Sequence, residues 1–317
     1  MNVLDSTKLI TENSAHVKIN KQKILEFCTN FDYKSIKHWV DEAPFDLNGL
    51  TDVGKLHFLF VFNAISFSYW GEPKWTISYK GRELDGSWAM VACIGKAIEQ
   101  DKPILNPEFL SSITKNDLAE ILQGTVEIPL LEKRVNFLNH LGKTLLEKFD
   151  GDFENVIKES KGDALKLLEL IVSNFPLFND SSFCNGEKIF FYKRAQLFVA
   201  NIYQAFNGKG FGDLKNIDKL TVCADYKLPQ VLRKLGILEY SVVLAEKIDS
   251  KTEIPKGSAE ELEIRANTIW AGELIKQELK KKFPNIDSIH VNDHLWLLSQ
   301  NKSPEDKPYH RTRTTAY

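Results

Sequence analysis

Cysteine is scarce in this sequence, and the four cysteines that occur lie far apart. They are Cys28, Cys93, Cys184 and Cys223, and no C-x-x-C pair is present. Zinc ribbons and thioredoxin-like redox sites use such pairs, so their absence argues against both classes. Single, separated cysteines are typical of a reducing compartment, where each thiol packs as a small hydrophobic group. We therefore predict a cytoplasmic protein.

Strong charge and long apolar runs are also lacking. The net charge is −2, which gives no field that would draw the whole molecule to nucleic acid. The first residues contain neither a basic start nor an apolar run, so we expect no secretory signal. The most apolar stretch, residues 58–70, is interrupted by polar residues and is shorter than the ~20 residues that span a bilayer. We expect a soluble chain that contacts neither membranes nor nucleic acid directly.

Several motifs of common enzyme classes are missing. The sequence contains no Walker-type loop, no G-x-G-x-x-G, no H-E-x-x-H and no G-x-S-x-G. P-loop nucleotide hydrolases, zincins and α/β-hydrolases carry one of these motifs, so none of these classes fits. The seven histidines show no metal-ligand spacing. Any catalysis is expected to rely on carboxylates, without a metal or other cofactor.

What is present predicts a mainly α protein with a small β-hairpin near residues 74–88. Apolar residues recur with a 3.6-residue period over much of the chain beyond residue 100, which we expect to be almost wholly helical. The run at residues 55–70 predicts a buried helix that ends at the turn Gly71–Pro73. Alternating Trp75, Ile77 and Tyr79 before Lys80-Gly81 predict the hairpin. Without repeats or linkers, we predict a single domain over residues 1–317.

Two adjacent cations, Lys193 and Arg194, lie in an apolar segment that predicts a helix over residues 189–206. Burying unpaired charge is costly, so at least one of them should have a partner. Pairing with a carboxylate and binding of a phosphate both fit. The final eleven residues are basic and polar, and they can form either a tail or a strap over the body.

Asp225 lies between small and apolar residues in the segment TVCADYKLPQ, residues 221–230. Pro229 suits a first helical turn and Gly236 suits a helix end, so a helix is predicted to follow Asp225. An Asp at this place can cap the helix or pair with a cation. It can also face a pocket whose walls exclude water. The local sequence leaves these interpretations open.

Ordered motifs along the whole chain resemble the queuosine salvage family, the queuosine 5′-phosphate N-glycosylase/hydrolases. They are FSYWGEPKW (67–75), GSW (86–88), IPLLEKR (128–134), FYKRAQ (191–196), ADYKLPQVL (224–232), ELEIR (261–265) and an ending from Leu295 to Arg313. The resemblance implies a hydrolase with an all-helical fold similar to DNA glycosylases. Its substrate would be a free nucleotide, queuosine 5′-monophosphate, and its product the base queuine, salvaged for tRNA modification.

The resemblance also implies roles for individual residues. The catalytic acid of the family is the Asp of its Ala-Asp-Tyr motif, here Asp225. Cleavage of the bond between ribose and base develops positive charge on the sugar, which a fixed carboxylate stabilises. Lys193 is a candidate for the 5′-phosphate, and His38 matches a substrate-contacting His of the family.

Departures from the family pattern concern recognition of the base. Cys223 stands where the family usually has a Phe that contacts the base. Asn292 stands where an acid is expected, with Asp293 next to it, and Leu297 replaces another acid. These changes leave open a different modified or deazapurine nucleotide as substrate, or a helical protein that binds nucleotide without turnover. A DNA or RNA glycosylase is disfavoured because no basic stripe is present.

Overall fold

The computed structural model describes residues 2–317, and helices dominate that range. The helices are α1 (Val3–Glu12), α2 (Lys21–Thr29), α3 (Asp52–Ile65), α4 (Gly86–Glu99), α5 (Pro107–Ser112), α6 (Lys115–Ile121), α7 (Leu131–Lys148), α8 (Phe153–Ser160), α9 (Ala164–Asn174), α10 (Lys193–Ala205), α11 (Lys227–Lys234), α12 (Val242–Asp249), α13 (Ala259–Lys280) and α14 (Ser288–Leu298). The prediction of a mainly α protein is confirmed. None of the helices in the described range combines the length and apolar character that a membrane crossing requires.

Six short strands form three antiparallel pairs within residues 2–317. The strands are β1 (Val17–Ile19), β2 (Thr76–Tyr79), β3 (Arg82–Asp85), β4 (Ser181–Cys184), β5 (Glu187–Phe190) and β6 (Leu238–Tyr240). The predicted hairpin is β2–β3, and its turn residues Lys80 and Gly81 both have the positive φ that a tight two-residue turn needs. The pairs β1–β6 and β4–β5 were not predicted. Strands β4, β5 and β6 lie beyond residue 100, where the sequence was expected to be almost wholly helical, and that expectation is wrong for them.

The helix predicted at residues 55–70 ends earlier, at Ile65. Two buried arginines from other helices bind its last carbonyl groups. Arg194 Nη1 donates to Ala64 O (2.6 Å), and Arg134 Nη1 donates to Ile65 O. Because Arg134 Nη2 also donates to Phe67 O (2.5 Å), the chain after Ile65 is held in an irregular, buried segment. That segment, residues 66–70, becomes a wall of the site described below.

The segment Thr221–Gln230 passes between two apolar clusters. The larger cluster is built on α3, α4, α7, α9 and α10 and includes Ala224, whereas the second is built on α2, α11, α13 and α14 and includes Val222. The approach of α13 is close, since a Cβ added at Gly272 would lie 2.5 Å from a methyl group of Val222. Asp225 is thereby placed where the two clusters meet.

The C-terminal residues 307–317 form a strap over the body and not a free tail. Arg311 O accepts from Ile254 N (2.7 Å), and Tyr317 O accepts from Ser68 N (2.9 Å). Ser68 Oγ further donates to Thr314 O (2.5 Å). Tyr317 is buried, so the end of the strap belongs to the interior.

The strap contains a buried histidine, His310, that should make the protein sensitive to acid. Burial, with a contribution from the Arg265 charge, lowers the pKa of His310 to about 3. In the unfolded chain its pKa is about 6.5, so below pH 6.5 only the unfolded state gains a proton there. The stability that depends on neutral His310 is therefore fully present above pH 6.5, and it is lost progressively as the pH decreases from 6.5 toward 3.

We expect acidification from pH 7.5 to 5 to remove about 2 kcal/mol of unfolding free energy through His310 alone. Urea unfolding at both pH values measures the loss in the wild-type protein and in His310→Gln. The variant should be less stable at pH 7.5 but should lose about 2 kcal/mol less on acidification. An identical loss in both proteins would contradict this assignment.

Candidate active site

Asp225 is buried, with 8% of its surface exposed, and its two carboxylate oxygens have different surroundings. Oδ1 accepts from the main-chain N–H groups of Lys227 (2.8 Å) and Leu228 (2.9 Å) at the start of α11. The helix-cap interpretation is thus confirmed for this oxygen. For Oδ2, no hydrogen-bond donor or ion-pair partner occurs within residues 2–317. The fold therefore fixes one oxygen of Asp225, whereas the other has no partner among the described residues.

Two adjoining cavities meet at Asp225. We call the first the basic chamber; it is lined by Phe67, Tyr69, Lys74, Asp85, Gly86, Tyr226, Lys227, Gln300, Tyr309 and Tyr317. We call the second the apolar chamber; it is lined by Trp39, Phe62, Leu197, Cys223, Leu228, Asn292 and Asp293. Both chambers share Ser66, Ser87, Lys193, Asp225 and Trp296. A ligand that fills both chambers must therefore pass Asp225.

Lysines give the basic chamber its character. Lys74 Nζ donates to Asp85 Oδ2 (2.6 Å), and Lys302 Nζ does the same (2.6 Å). Burial alone would raise the pKa of Asp85, but the hydrogen bonds and charges of the two lysines together outweigh it and lower the pKa. Lys193 and Lys227 form no ion pair with a carboxylate in the part of the chain that the structure describes. Two such ammonium groups at one cavity suit an anionic ligand.

Burial lowers the pKa of Lys227 below its usual value, with nearby Lys74 and Lys302 acting in the same direction. Its ammonium group lies 5.3 Å from the centre of the Tyr309 ring and hydrogen-bonds to Gln230 Oε1 (3.3 Å). An incoming anion would relieve the unfavourable environment of this charge. Lys227 is therefore a candidate cation for an anionic ligand in this chamber.

The apolar chamber brings three predicted residues together. Asn292 Oδ1 accepts from Cys223 N (2.9 Å), and Asn292 Nδ2 donates to Asp293 Oδ1 (3.2 Å). Asp293 Oδ2 accepts from Gln204 Nε2 (2.9 Å) and Trp39 N (3.3 Å). Three donors therefore hold the buried Asp293 carboxylate in a fixed orientation. This polar pair shares the chamber lining with apolar side chains such as Phe62, Leu197 and Leu228.

His38 and Cys223 occupy different positions relative to the chamber. His38 Nδ1 lies 3.8 Å from Asp293 Oδ2, on the far side of the Asn292–Asp293 pair, and the carboxylate raises the pKa of His38. His38 does not line either chamber within the described residues. Cys223 does line the apolar chamber, where burial raises the pKa of its thiol to about 12. The thiol stays protonated at neutral pH and acts as packing, not as a nucleophile.

The adjacent cations Lys193 and Arg194 separate into different roles. Lys193 is the first residue of α10, which starts later than the predicted residue 189 because the preceding residues form β5. Its side chain lines both chambers. Arg194 points the other way, donates to main-chain carbonyls and lies 5.0 Å from the Phe178 ring centre. The prediction that one of these two cations pairs with a carboxylate is wrong, because neither side chain forms an ion pair within residues 2–317. Arg194 binds carbonyl oxygens instead.

Similarity to known proteins identifies the family of this chain. The family model described as queuosine salvage protein matches residues 50–317. The chain belongs to the queuosine salvage protein family. Relatives named queuosine 5′-phosphate N-glycosylase/hydrolase align over nearly the full length. One from Sphaerobacter thermophilus is 36% identical over 100% of this chain and 98% of its own. A relative from Nematostella vectensis is 37% identical over 89% of this chain and 87% of its own. Another from Bos taurus is 34% identical over 99% of this chain and 98% of its own.

Several lining residues were not singled out from the sequence, although they lie in motifs typical of queuosine salvage proteins. Trp296 lines both chambers and packs edge-on against Trp88, with ring centres 4.8 Å apart. Ser87 comes from the GSW motif, and Lys227 from ADYKLPQVL. A motif indicates that a segment belongs to the site but does not show which of its side chains face a cavity. For this reason the sequence alone did not predict that these side chains line the chambers.

One departure from the pattern of queuosine salvage proteins lies away from the chambers. Leu297 faces a surface groove together with Trp88 and His294, outside the residues that line either chamber. Cys223 and the Asn292–Asp293 pair, which also depart from the expected pattern, line the apolar chamber.

Proposed function

We propose that this protein hydrolyses the N-glycosidic bond of queuosine 5′-monophosphate and releases the base queuine. The observation that carries the proposal is the position of Asp225 at the junction of the two chambers, with one carboxylate oxygen fixed and the other unoccupied by the chain. The names of the relatives support the same reaction.

The two chambers suit the two ends of a nucleotide. The basic chamber, with Lys193 and Lys227, receives the 5′-phosphate. The apolar chamber, with Trp39 and Trp296, receives the base, and the ring faces supply stacking contacts. The ribose then lies against Asp225, which both chambers share.

Asp225 acts on the charge that develops during bond cleavage. As the bond to the base breaks, the sugar becomes oxocarbenium-like and positively charged. Because two main-chain amides hold Oδ1, the carboxylate cannot turn away, and Oδ2 is presented in a fixed direction. A preorganised charge in a site that excludes water stabilises such a transition state strongly. The base departs as its bond to C1′ of the ribose breaks, and water adds its oxygen to C1′. One proton of the water goes to the departing base, so the products are queuine and ribose 5-phosphate.

Recognition of the base falls to the Asn292–Asp293 pair. Asn292 retains one amide N–H beyond its hydrogen bond to Asp293, and Asp293 Oδ1 retains an acceptor site beyond the one Asn292 uses. This donor and acceptor match the mixed edge of a guanine-like base. We infer that Trp296 supplies the stacking surface that Cys223 does not.

The proposed reaction is tested by incubating the protein with queuosine 5′-monophosphate and detecting free queuine by mass spectrometry. A panel of nucleotides that differ only in the base accompanies it. If the protein preferred a nucleotide with an unmodified purine, the assignment of queuosine 5′-monophosphate as the substrate would be wrong. If queuosine 5′-monophosphate raises the melting temperature but no base is released, the protein binds without turnover.

Lys227→Met should raise KM for queuosine 5′-monophosphate about tenfold or more, because a charge-assisted hydrogen bond to phosphate is lost. Turnover of the unphosphorylated nucleoside queuosine should change little. Steady-state kinetics on both substrates measure the difference, with Lys281→Met on the exposed surface as the control. An equal effect on nucleoside and nucleotide would place the phosphate elsewhere.

We further propose that the enzyme is cytoplasmic, acts on free nucleotides and not on nucleic acid strands, and has the DNA-glycosylase-like single domain expected from the resemblance. Support comes from the net charge of −2 and from four cysteines that all remain as thiols.

A further inference from the structure

A buried ion pair between Asp180 and Arg265 lies directly behind the site. Arg265 Nη1 donates to Asp180 Oδ1 (3.0 Å), and Nη2 donates to Oδ2 (2.5 Å). The side chains are 4% and 2% exposed, respectively. Neither residue lines the chambers, so neither touches a ligand placed there.

The pair connects the two charged groups that both chambers share. Asp180 Oδ2 also accepts from the main-chain N–H of Lys193 (3.2 Å), the first residue of α10. Arg265 Nε donates to Ala224 O (3.2 Å), immediately before Asp225. A single pair of side chains thus holds the main chain on both sides of the junction.

The guanidinium of Arg265 has no freedom to turn. Two rings lie against it, with the centre of Phe191 3.9 Å away and that of Tyr317 4.5 Å away. Glu261 Oε1 lies 3.6 Å from Nη1, and the Tyr317 hydroxyl donates to the same oxygen (3.0 Å). Contacts with two rings, two carboxylates and the Ala224 carbonyl oxygen hold the planar guanidinium in one position.

Stability alone is a weak explanation for such a pair. The desolvation of two charges offsets most of their attraction, so apolar residues of similar size often stabilise a core as well. The planar fork of arginine, in contrast, fixes direction as well as charge. The geometry is what distinguishes this pair from an ordinary buried contact.

We propose that Asp180 and Arg265 are positioning residues that set the placement of Asp225 relative to Lys193. The inference rests on the proposed function, because it concerns the reaction at Asp225. It predicts that the transition state depends on the pair much more than substrate binding does, since small displacements of a reacting group cost large factors in rate.

The test is Arg265→Lys, which keeps the charge but loses the fork and the contact to Ala224. We expect kcat to fall by about 10²-fold while KM changes less than about threefold. If Arg265 served only as a buried charge, lysine would restore both stability and kcat. Should Arg265→Lys fail to fold, Asp180→Asn, which keeps the shape, is expected to lower kcat by about tenfold.

Lys276→Met is the matched control, because Lys276 forms a largely buried ion pair with Glu273 (2.6 Å) on the same helix as Arg265. It should lower the melting temperature without changing kcat. A kcat in Arg265→Lys within twofold of the wild type, or a loss equal to the unfolded fraction, would overturn the proposal.

Hydrogen exchange gives a readout that does not depend on turnover. In Arg265→Lys the amides of Lys227 and Leu228, which bind Asp225, should exchange faster, whereas in Lys276→Met they should not. Unchanged exchange in Arg265→Lys would contradict positioning even in a protein without activity. A wild-type protein that releases no queuine would overturn the proposed function alone.

Discussion

Asp225→Asn is expected to fold normally and to lose nearly all turnover of queuosine 5′-monophosphate. The amide oxygen of asparagine can still accept from the N–H groups of Lys227 and Leu228, so the start of α11 is preserved. What disappears is the negative charge opposite the ribose, where the transition state is most positive. We expect a rate loss of at least about 10³-fold, equivalent to about 4 kcal/mol of transition-state stabilisation.

Release of queuine under single-turnover conditions measures this loss, and thermal unfolding shows whether the variant is folded. Asp163→Asn is the matched control, since Asp163 also caps a helix, accepting from Lys166 N (2.9 Å) at the start of α9. That variant should keep full activity. If Asp225→Asn kept more than about a tenth of the wild-type rate, the charge of Asp225 would not be central to the reaction.

The sequence selected residues at the junction of the two chambers and in the apolar chamber, but few of the other residues that line them. Asp225 and Cys223 share one short segment, and Asn292–Asp293 follow in a second motif, so ordered motifs were enough to select them. The structure adds that the Cys223 amide binds Asn292 across 69 positions of sequence. His38 could be named from the resemblance, yet its position behind Asp293 depends on packing that no local pattern contains.

The helix α3 shows why other parts of the fold could not be predicted. Residues 66–70 are buried like most of the helix before them, and periodicity alone continues the helix through them. The helix ends at Ile65 because guanidinium groups 69 and 130 positions away bind its final carbonyls. A helix end that is set by distant side chains leaves no local capping signal.

Arg134→Met should destabilise the protein by about 3–5 kcal/mol, the largest stability effect that we expect from a single substitution. The Arg134 side chain is fully buried, and burial lowers its pKa to about 10, so the group remains charged at neutral pH. It forms no ion pair with a carboxylate in residues 2–317. Carbonyl oxygens and the Phe67 ring, 4.2 Å away, hold the charge instead. Methionine would leave those carbonyls buried without donors.

Urea unfolding of Arg134→Met measures the destabilisation, and Arg233→Met provides the comparison. Arg233 pairs with Asp249 (2.7 Å) in a partly exposed position, so its loss should cost about 1 kcal/mol or less. A similar cost for both variants would mean that the carbonyls near Ile65 find other donors.

Arg134→Lys separates the charge of Arg134 from its geometry. A lysine ammonium can satisfy the carbonyl of Ile65 or that of Phe67, but it lacks the fork that spans both. We therefore expect Arg134→Lys to recover part of the stability that Arg134→Met loses. Its activity relative to the wild type should still be lower than its folded fraction, because the segment after Ile65 lines the chambers through Ser66. Activity that follows stability in both Arg134 variants would limit the role of Arg134 to folding. Activity that falls further would show that the end of α3 helps to shape the site beside Asp225.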